Sequence, residues 1–267
     1  MTANVRIMSW GMPLLYCGPA FDLPGHRKAV GLLCVCLDGA MEIRTVADDG
    51  EERTTTCGSA YIEPGVMHAI RFGSEKVACL YVEGDNAHLG SLLAGMTPLG
   101  GGLHVDHPRR AAIVEALAGR DALSAGRRDR IAGAFGLSAL LLGDRDPRIA
   151  RVMAAILSEP GRPHRATALA RQVGLSESRL RHAFRHAPGL SLKRFRLWAR
   201  MGASLRLIGD GANLTVAAHE AGFSSSAHFS TAYRALFGLK PSAVVRANPM
   251  LASSRQAHGV RGLERPS

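Results

Sequence analysis

With 46% hydrophobic residues, this chain of 267 residues has the material for more than one packed core, which excludes global disorder. Its net charge of +11 is uneven: residues 1–143 hold 13 Lys and Arg against 15 Asp and Glu, whereas residues 144–250 hold 17 against 6. A basic C-terminal part releases counterions when it docks on phosphates, so double-stranded DNA is the expected partner. Its basic residues are spread over several helical patterns, which argues against a membrane-surface helix.

No segment approaches the ~18 consecutive apolar residues that span a bilayer. Pro13 interrupts the apolar run of the first 20 residues, whose basic flank is weak, so no secretory signal is expected there. The cysteines Cys17, Cys34, Cys36, Cys57 and Cys79 match no zinc spacing and are odd in number. They read as reduced core thiols in a cytoplasmic protein rather than as redox sensors.

From Ala29 short strands alternate with turns. The continuous apolar run 29–37 suits a strand buried on both faces, and Asp38-Gly39 reads as a hairpin turn into the return strand 41–46. Asp49-Gly50 marks the next turn, and strands follow at 52–56, 60–63, 67–72 and 76–83. Six or more strands at this spacing predict an antiparallel sandwich or barrel.

Gly58 to His68, with Pro64-Gly65 before the histidine, resembles the second motif of the cupin barrels, one residue short. The first cupin motif can be laid over His26, Lys28, Leu32 and Gly39. Lysine and leucine then occupy two of its three ligand positions, so no metal site and no cofactor is expected. A barrel without metal can still hold a small-molecule effector at its mouth, with His26, Arg27, Tyr61, Glu63 and His68 as candidate lining.

Residues 98–102 read as a Gly-rich loop. Two helical patterns follow, one with Ile113, Val114 and Leu117. The other holds Ile131, Ala132, Phe135 and the run 137–142 between the polar cluster 127–130 and Gly143. The second is apolar enough to pack on the barrel or to form a homodimer. The polar turn 143–147 is the expected domain boundary.

The C-terminal part contains an internal repeat. Ala170-x3-Gly174-Leu175-Ser176 aligns with Ala218-x3-Gly222-Phe223-Ser224, Ala183-Phe184-Arg185 with Ala232-Tyr233-Arg234, and Gly189-Leu190 with Gly238-Leu239. Each copy reads as helix, tight Gly turn and second helix, a helix-turn-helix at 166–187 and at 214–237. The segment 191–211 between them predicts one helix of about 18 residues, ~27 Å long. That is close to the ~34 Å of a DNA turn once the flanking units are added, so both second helices could enter successive major grooves.

The second copy, with Ala218, Gly222-Phe223, Ser225, Phe229, Tyr233, Gly238 and Pro241, resembles the signature of the AraC/XylS transcriptional regulators. The resemblance implies a sequence-specific DNA-binding regulator, usually an activator that engages RNA polymerase, with a barrel that senses a ligand or dimerises. Val245-Arg246 stands where the family often has Tyr-Arg, which bears on the packing of the last helix.

Helix geometry leaves Ser178, Arg179, Arg181, His182 and Arg185 outward in the first reading helix. In the second, Ser225, Ser226, His228, Thr231 and Arg234 face outward. Arg181 and Arg185 can each bond guanine O6 and N7 together. Lys193, Arg194 and Arg196 read as phosphate contacts or solvated charges.

The expected fold is thus a two-domain α+β chain. A cupin-like antiparallel barrel at about 12–85, with helices at about 86–143, forms a sensor and dimerisation domain over 1–143. An all-α DNA-binding domain follows at 147–247, and 248–267 reads as a disordered tail. The competing readings are a cupin metalloenzyme fused to a DNA-targeting module and a non-specific DNA-coating protein.

Overall fold

The computed structural model describes residues 5–10, 12–46, 50–83, 89–118, 125–137, 146–186 and 190–247. Its N-terminal half is built from two antiparallel sheets. One has seven strands, in the order β1 (Arg6–Ser9), β2 (Leu14–Pro19), β9 (Lys76–Val82), β4 (Gly31–Cys36), β7 (Ser59–Ile62), β11 (Leu103–Val105) and β10 (Thr97–Gly100). The other has four, in the order β3 (Leu23–His26), β8 (His68–Gly73), β5 (Ala40–Val46) and β6 (Glu52–Cys57). The sheets face each other without closing into a hydrogen-bonded ring, so the barrel is an open, cupin-like one.

The composition of β4 follows from its place in this stack. Leu32, Cys34 and Cys36 point into the space between the sheets, while Leu33 and Val35 join the core on the opposite, helix-covered face. A strand covered on both sides has no polar face, hence the continuous apolar run. All five cysteines are buried free thiols, and Cys34 and Cys79 lie opposite each other with Sγ atoms 3.6 Å apart.

The six expected strands are present, with three differences around them. First, Asp38-Gly39 is not a hairpin turn. β4 already pairs with β9 and β7, so no edge is free for β5, which pairs instead with β6 and β8 in the other sheet. The turn is a corner between sheets, fixed by Asp38 Oδ1, which accepts from the Glu75 N–H at 2.8 Å and from the Ser74 hydroxyl. Second, the 98–102 segment is not a plain loop: β10 and β11 form a hairpin that extends the larger sheet beyond β7. Third, β1 to β3 precede Ala29, in a stretch where prolines and glycines obscure strand periodicity.

The helices α1 (Leu89–Leu93), α2 (Arg110–Ala118) and α3 (Ala125–Ala134) cover part of the larger sheet. The cluster 127–130, expected to precede a helix, lies inside α3. Most of the apolar run 137–142, the start of the expected boundary at 143–147 and the tail 248–267 fall outside the described residues.

The C-terminal half is helical: α4 (Pro147–Ser158), α5 (Ala166–Gln172), α6 (Glu177–His186), α7 (Leu192–Gly209), α8 (Leu214–Glu220), α9 (Ser226–Phe237) and α10 (Pro241–Ala247). Short polar side chains start several of them. Asp146, Ser191, Asn213 and Ser225 each accept a backbone N–H of the first turn that has no partner inside its helix. The repeat is realised as two helix-turn-helix units, α5–α6 and α8–α9, on the 18-residue helix α7. Their turn glycines, Gly174 (φ +67) and Gly222 (φ +84), both take the left-handed conformation that a side chain disfavours.

The two halves share one continuous apolar core. Trp198 of α7 is fully buried and donates its indole N–H to Glu83 Oε1 at 2.6 Å, and the same oxygen accepts from Arg194. The Tyr81 ring on β9 packs edge-on against Phe237 of α9, centroids 4.7 Å apart.

Candidate nucleic-acid interface

The second helix of each unit is seated by its apolar face. In α6, Leu180 and Phe184 are fully buried, and the Phe184 ring packs edge-on against Phe195 of α7 at 5.2 Å. In α9, Phe229, Tyr233, Leu236 and Phe237 are buried, and Phe229 meets Phe223 of the preceding turn at 5.3 Å. Helical spacing then fixes what faces outward.

In α6, Ser178, Arg179, Arg181, His182 and Arg185 are exposed, as the sequence spacing predicts. In α9, His228, Thr231 and Arg234 are exposed and Ser226 is half-buried. Ser225 is exposed but occupied: its hydroxyl accepts the His228 N–H at 3.0 Å as the helix cap. Ser225→Ala is expected to cost about 1 kcal/mol of stability, through one unpaired amide at the start of α9. Urea unfolding of the purified variant checks this, and an unchanged midpoint would remove the cap from the account.

The charges differ between the helices. Arg181 is tied to Glu177 one turn earlier, with Nε and Nη2 at 2.9 and 2.6 Å from the same carboxylate oxygen. Arg181 is exposed and Glu177 partly so, and a solvent-accessible pair of this kind is worth under ~1 kcal/mol, so Arg181 can leave Glu177 at little cost. Beside it, Arg148 of α4 lines a groove of about 450 Å³ with Leu175, Ser178, Arg179 and His182. Arg148 was not singled out from the sequence; its position one residue after the helix-starting Asp146-Pro147 was the available signal.

Two of the three charges at the start of α7 are already engaged within the protein. Arg194 pairs with Glu83, and Arg196 donates to the His164 carbonyl. Lys193 is exposed.

The five candidate effector residues do not converge. His26 and His68 are register partners on β3 and β8, with ring centroids 4.3 Å apart. Lys28, seen in the sequence only as a misfit to a metal motif, lies beside them with Nζ 2.9 Å from His68 Nε2. Arg27 is exposed and donates to the Gly65 carbonyl. Tyr61 sits on the other face of the larger sheet, opposite Leu33, in the core under the helices. Glu63 is exposed and bonds His104 at 3.1 Å.

Burial pushes the pKa of Lys28 down to about 7, and burial together with Lys28 pushes that of His68 down to about 3. A lysine amine bonded to His68 takes the place that the cupin motif gives to a metal ligand. Among the described residues, no group of three His, Cys, Asp or Glu is placed to hold a metal ion. A groove of about 350 Å³ lies instead between the open sheet edges, lined by Thr45, Arg53, Thr54, Thr55, Leu99 and Leu103. No helix among the described residues is long and apolar enough to cross a membrane.

Comparison with known proteins gives a match at the same place. Residues 169–247 match a family described as a helix-turn-helix domain. Among solved structures, ToxT from Vibrio cholerae O395 aligns over 90% of this chain and 97% of its own, at 14% identity and TM-score 0.47. Unsaturated fatty acid-bound ToxT from Vibrio cholerae strain SCE256 aligns over 91% and 95%, at 13% identity and TM-score 0.45. A transcriptional regulator from Chromobacterium violaceum, described as containing an AraC-type DNA-binding domain, aligns over 42% of this chain and 95% of its own, at 21% identity and TM-score 0.35. No curated protein matches.

Proposed function

We propose that residues 169–247, which match a helix-turn-helix family, form an AraC-type DNA-binding domain, and that the chain is a transcriptional regulator reading a specific duplex sequence with α6 and α9. The observation that carries this reading is the repeat itself. Two units with left-handed glycines at equivalent turns each bury an aromatic face and leave polar residues outward.

Within it, α6 supplies most of the base-specific contact. Its outward face holds three arginines, whereas that of α9 holds Ser226, His228, Thr231 and one arginine, suited to hydroxyl and shape contacts. Residues 147–247 act as the DNA-binding part and residues 1–143 as the sensing and dimerising part. The regulator acts in the cytoplasm, as a homodimeric activator that engages RNA polymerase, answers a small-molecule effector and has no catalytic activity of its own.

Arg181→Ala tests the reading. It is expected to weaken binding to the preferred duplex by about 1–3 kcal/mol and to relax preference at one base position. Quantitative gel shifts with single-base variants of the duplex would show this. An equal loss on every duplex would make Arg181 a phosphate contact, and no loss would remove α6 from base reading.

A further inference from the structure

The C-terminal end of the second reading helix rests on the segment 26–29 of the N-terminal half. The Ala29 N–H donates to the Leu236 carbonyl at 3.0 Å, which gives the last turn of α9 a partner from outside its own domain. Gly238 follows in the left-handed conformation, and any Cβ there would run into the Arg27 carbonyl oxygen. Backbone from the two halves is therefore in direct contact at the corner between α9 and α10.

Lys28 lies beneath that corner and is 3% exposed. The space around it, about 20 Å³, is lined by His26, Tyr81, Tyr233, Phe237 and Leu239 among others, and so belongs to both halves. His68 Nδ1 lies 2.9 Å from the Val66 carbonyl and must carry its hydrogen there. Nε2 of the same ring is then the acceptor for Lys28. His26 is fixed in the same tautomer by the Pro24 carbonyl at 2.7 Å.

The other titratable groups facing Lys28 are the Cys34 and Cys79 thiols and the Tyr81 and Tyr233 hydroxyls. Arg27 turns away toward Gly65. Among the described residues, no carboxylate is in ion-pair range of Lys28. An ammonium in this position is taken out of water without a counter-charge, and the corner that covers it carries that cost.

We propose that Lys28 is a proton-operated latch beneath the second reading helix: the neutral amine lets the α9–α10 corner seat on residues 26–29, and the ammonium unseats it. The direction follows from linkage. The seated corner holds the Lys28 pKa at about 7, while a lysine returned to water has its ordinary value near 10.5. Between these values the seated form binds fewer protons, so falling pH drains it until about pH 7, below which nothing further is lost. Burial pushes the His26 and His68 values down and those of Tyr81 and Tyr233 up, and the hydrogen bond with Cys79, together with burial, pushes Cys34 up, all away from neutrality.

The test is fluorine NMR on the full chain with 4-fluorophenylalanine at position 237, whose ring packs on Tyr81 and lines the Lys28 space. Between pH 6 and 10 the wild-type resonance is expected to move with a midpoint between about 7 and 10.5, and to be level below about 7. In Lys28→Met it should stay at the high-pH position throughout. A wild-type resonance that does not move, or a Lys28→Met chain that titrates with the same midpoint, overturns the proposal. If Lys28→Met does not fold, Lys28→Gln takes its place, and the wild-type series is decisive alone. No DNA is needed, so the result is independent of the DNA-reading assignment.

Discussion

Trp198→Ala is expected to lower the unfolding free energy by about 3–5 kcal/mol, the range for truncating a large buried aromatic side chain. Trp198 lies mid-way along α7, the helix that carries both helix-turn-helix units, and is fully buried. Its ring packs edge-on against Phe237 at 5.9 Å, so truncation opens a cavity under the second reading helix. The change also leaves Glu83, which is 8% exposed, without its indole donor. Trp198→Phe helps to separate the two effects, because it removes the hydrogen bond but keeps an aromatic ring and so opens a much smaller cavity. That variant should lose about 1–3 kcal/mol, the cost of an under-satisfied buried group. Urea unfolding of both variants is the measurement. Equal losses would mean that the hydrogen bond to Glu83, not the packing, ties α7 to the sheets.

Gly222→Ala is expected to damage the second helix-turn-helix strongly through its turn. The left-handed backbone alone costs an alanine about 1–3 kcal/mol. Beyond this, the new Cβ would lie 2.6 Å from both the Gly161 Cα and its carbonyl oxygen, so the turn after α4 must also move. Gly174→Ala is the matched control. It has the same left-handed backbone in the first unit, but nothing lies within 4 Å of the new Cβ. The first variant should therefore lose clearly more than the second by thermal or urea unfolding. Equal losses would show that the contact with Gly161 relaxes freely and that backbone conformation accounts for the whole effect.

The helical half was the more legible one because its punctuation is local. Ser191, Asn213, Ser225 and Gly238 mark helix ends through bonds or dihedral angles within a few residues, and the repeat exposed equivalent turns directly. The sheets were legible as strands and less so as pairings. Asp38-Gly39 carries a strong local hairpin signal, yet both edges of β4 are taken by distant strands, so long-range pairing overrode it. The β10–β11 hairpin was hidden by the glycines at 100–102, which lower strand propensity although they form its turn.

The outward faces of α6 and α9 were available from helical period alone, since Leu180 and Phe184 inward forces Arg181 and Arg185 outward. The placement of the five candidate effector residues was not. Tyr61 and His68 were grouped by closeness in sequence, and only the register against Leu33 shows that Tyr61 faces the helices. Lys28 was visible as a lysine in a barrel-lining motif position. Its role as the buried partner of His68 depends on a cover supplied by α9, more than 200 residues later, and no local pattern could show that.

Selection of bound sequences from a randomised pool of duplex DNA, using the purified full-length protein, tests the central claim most directly. Two reading helices on one linker predict enriched sequences with two short constant blocks whose centres lie about one helical turn, ~10 base pairs, apart. The block contacted by α6 should be the richer in guanine. Tight binding with no sequence enriched over the starting pool would contradict the account and leave a protein that coats DNA through charge alone.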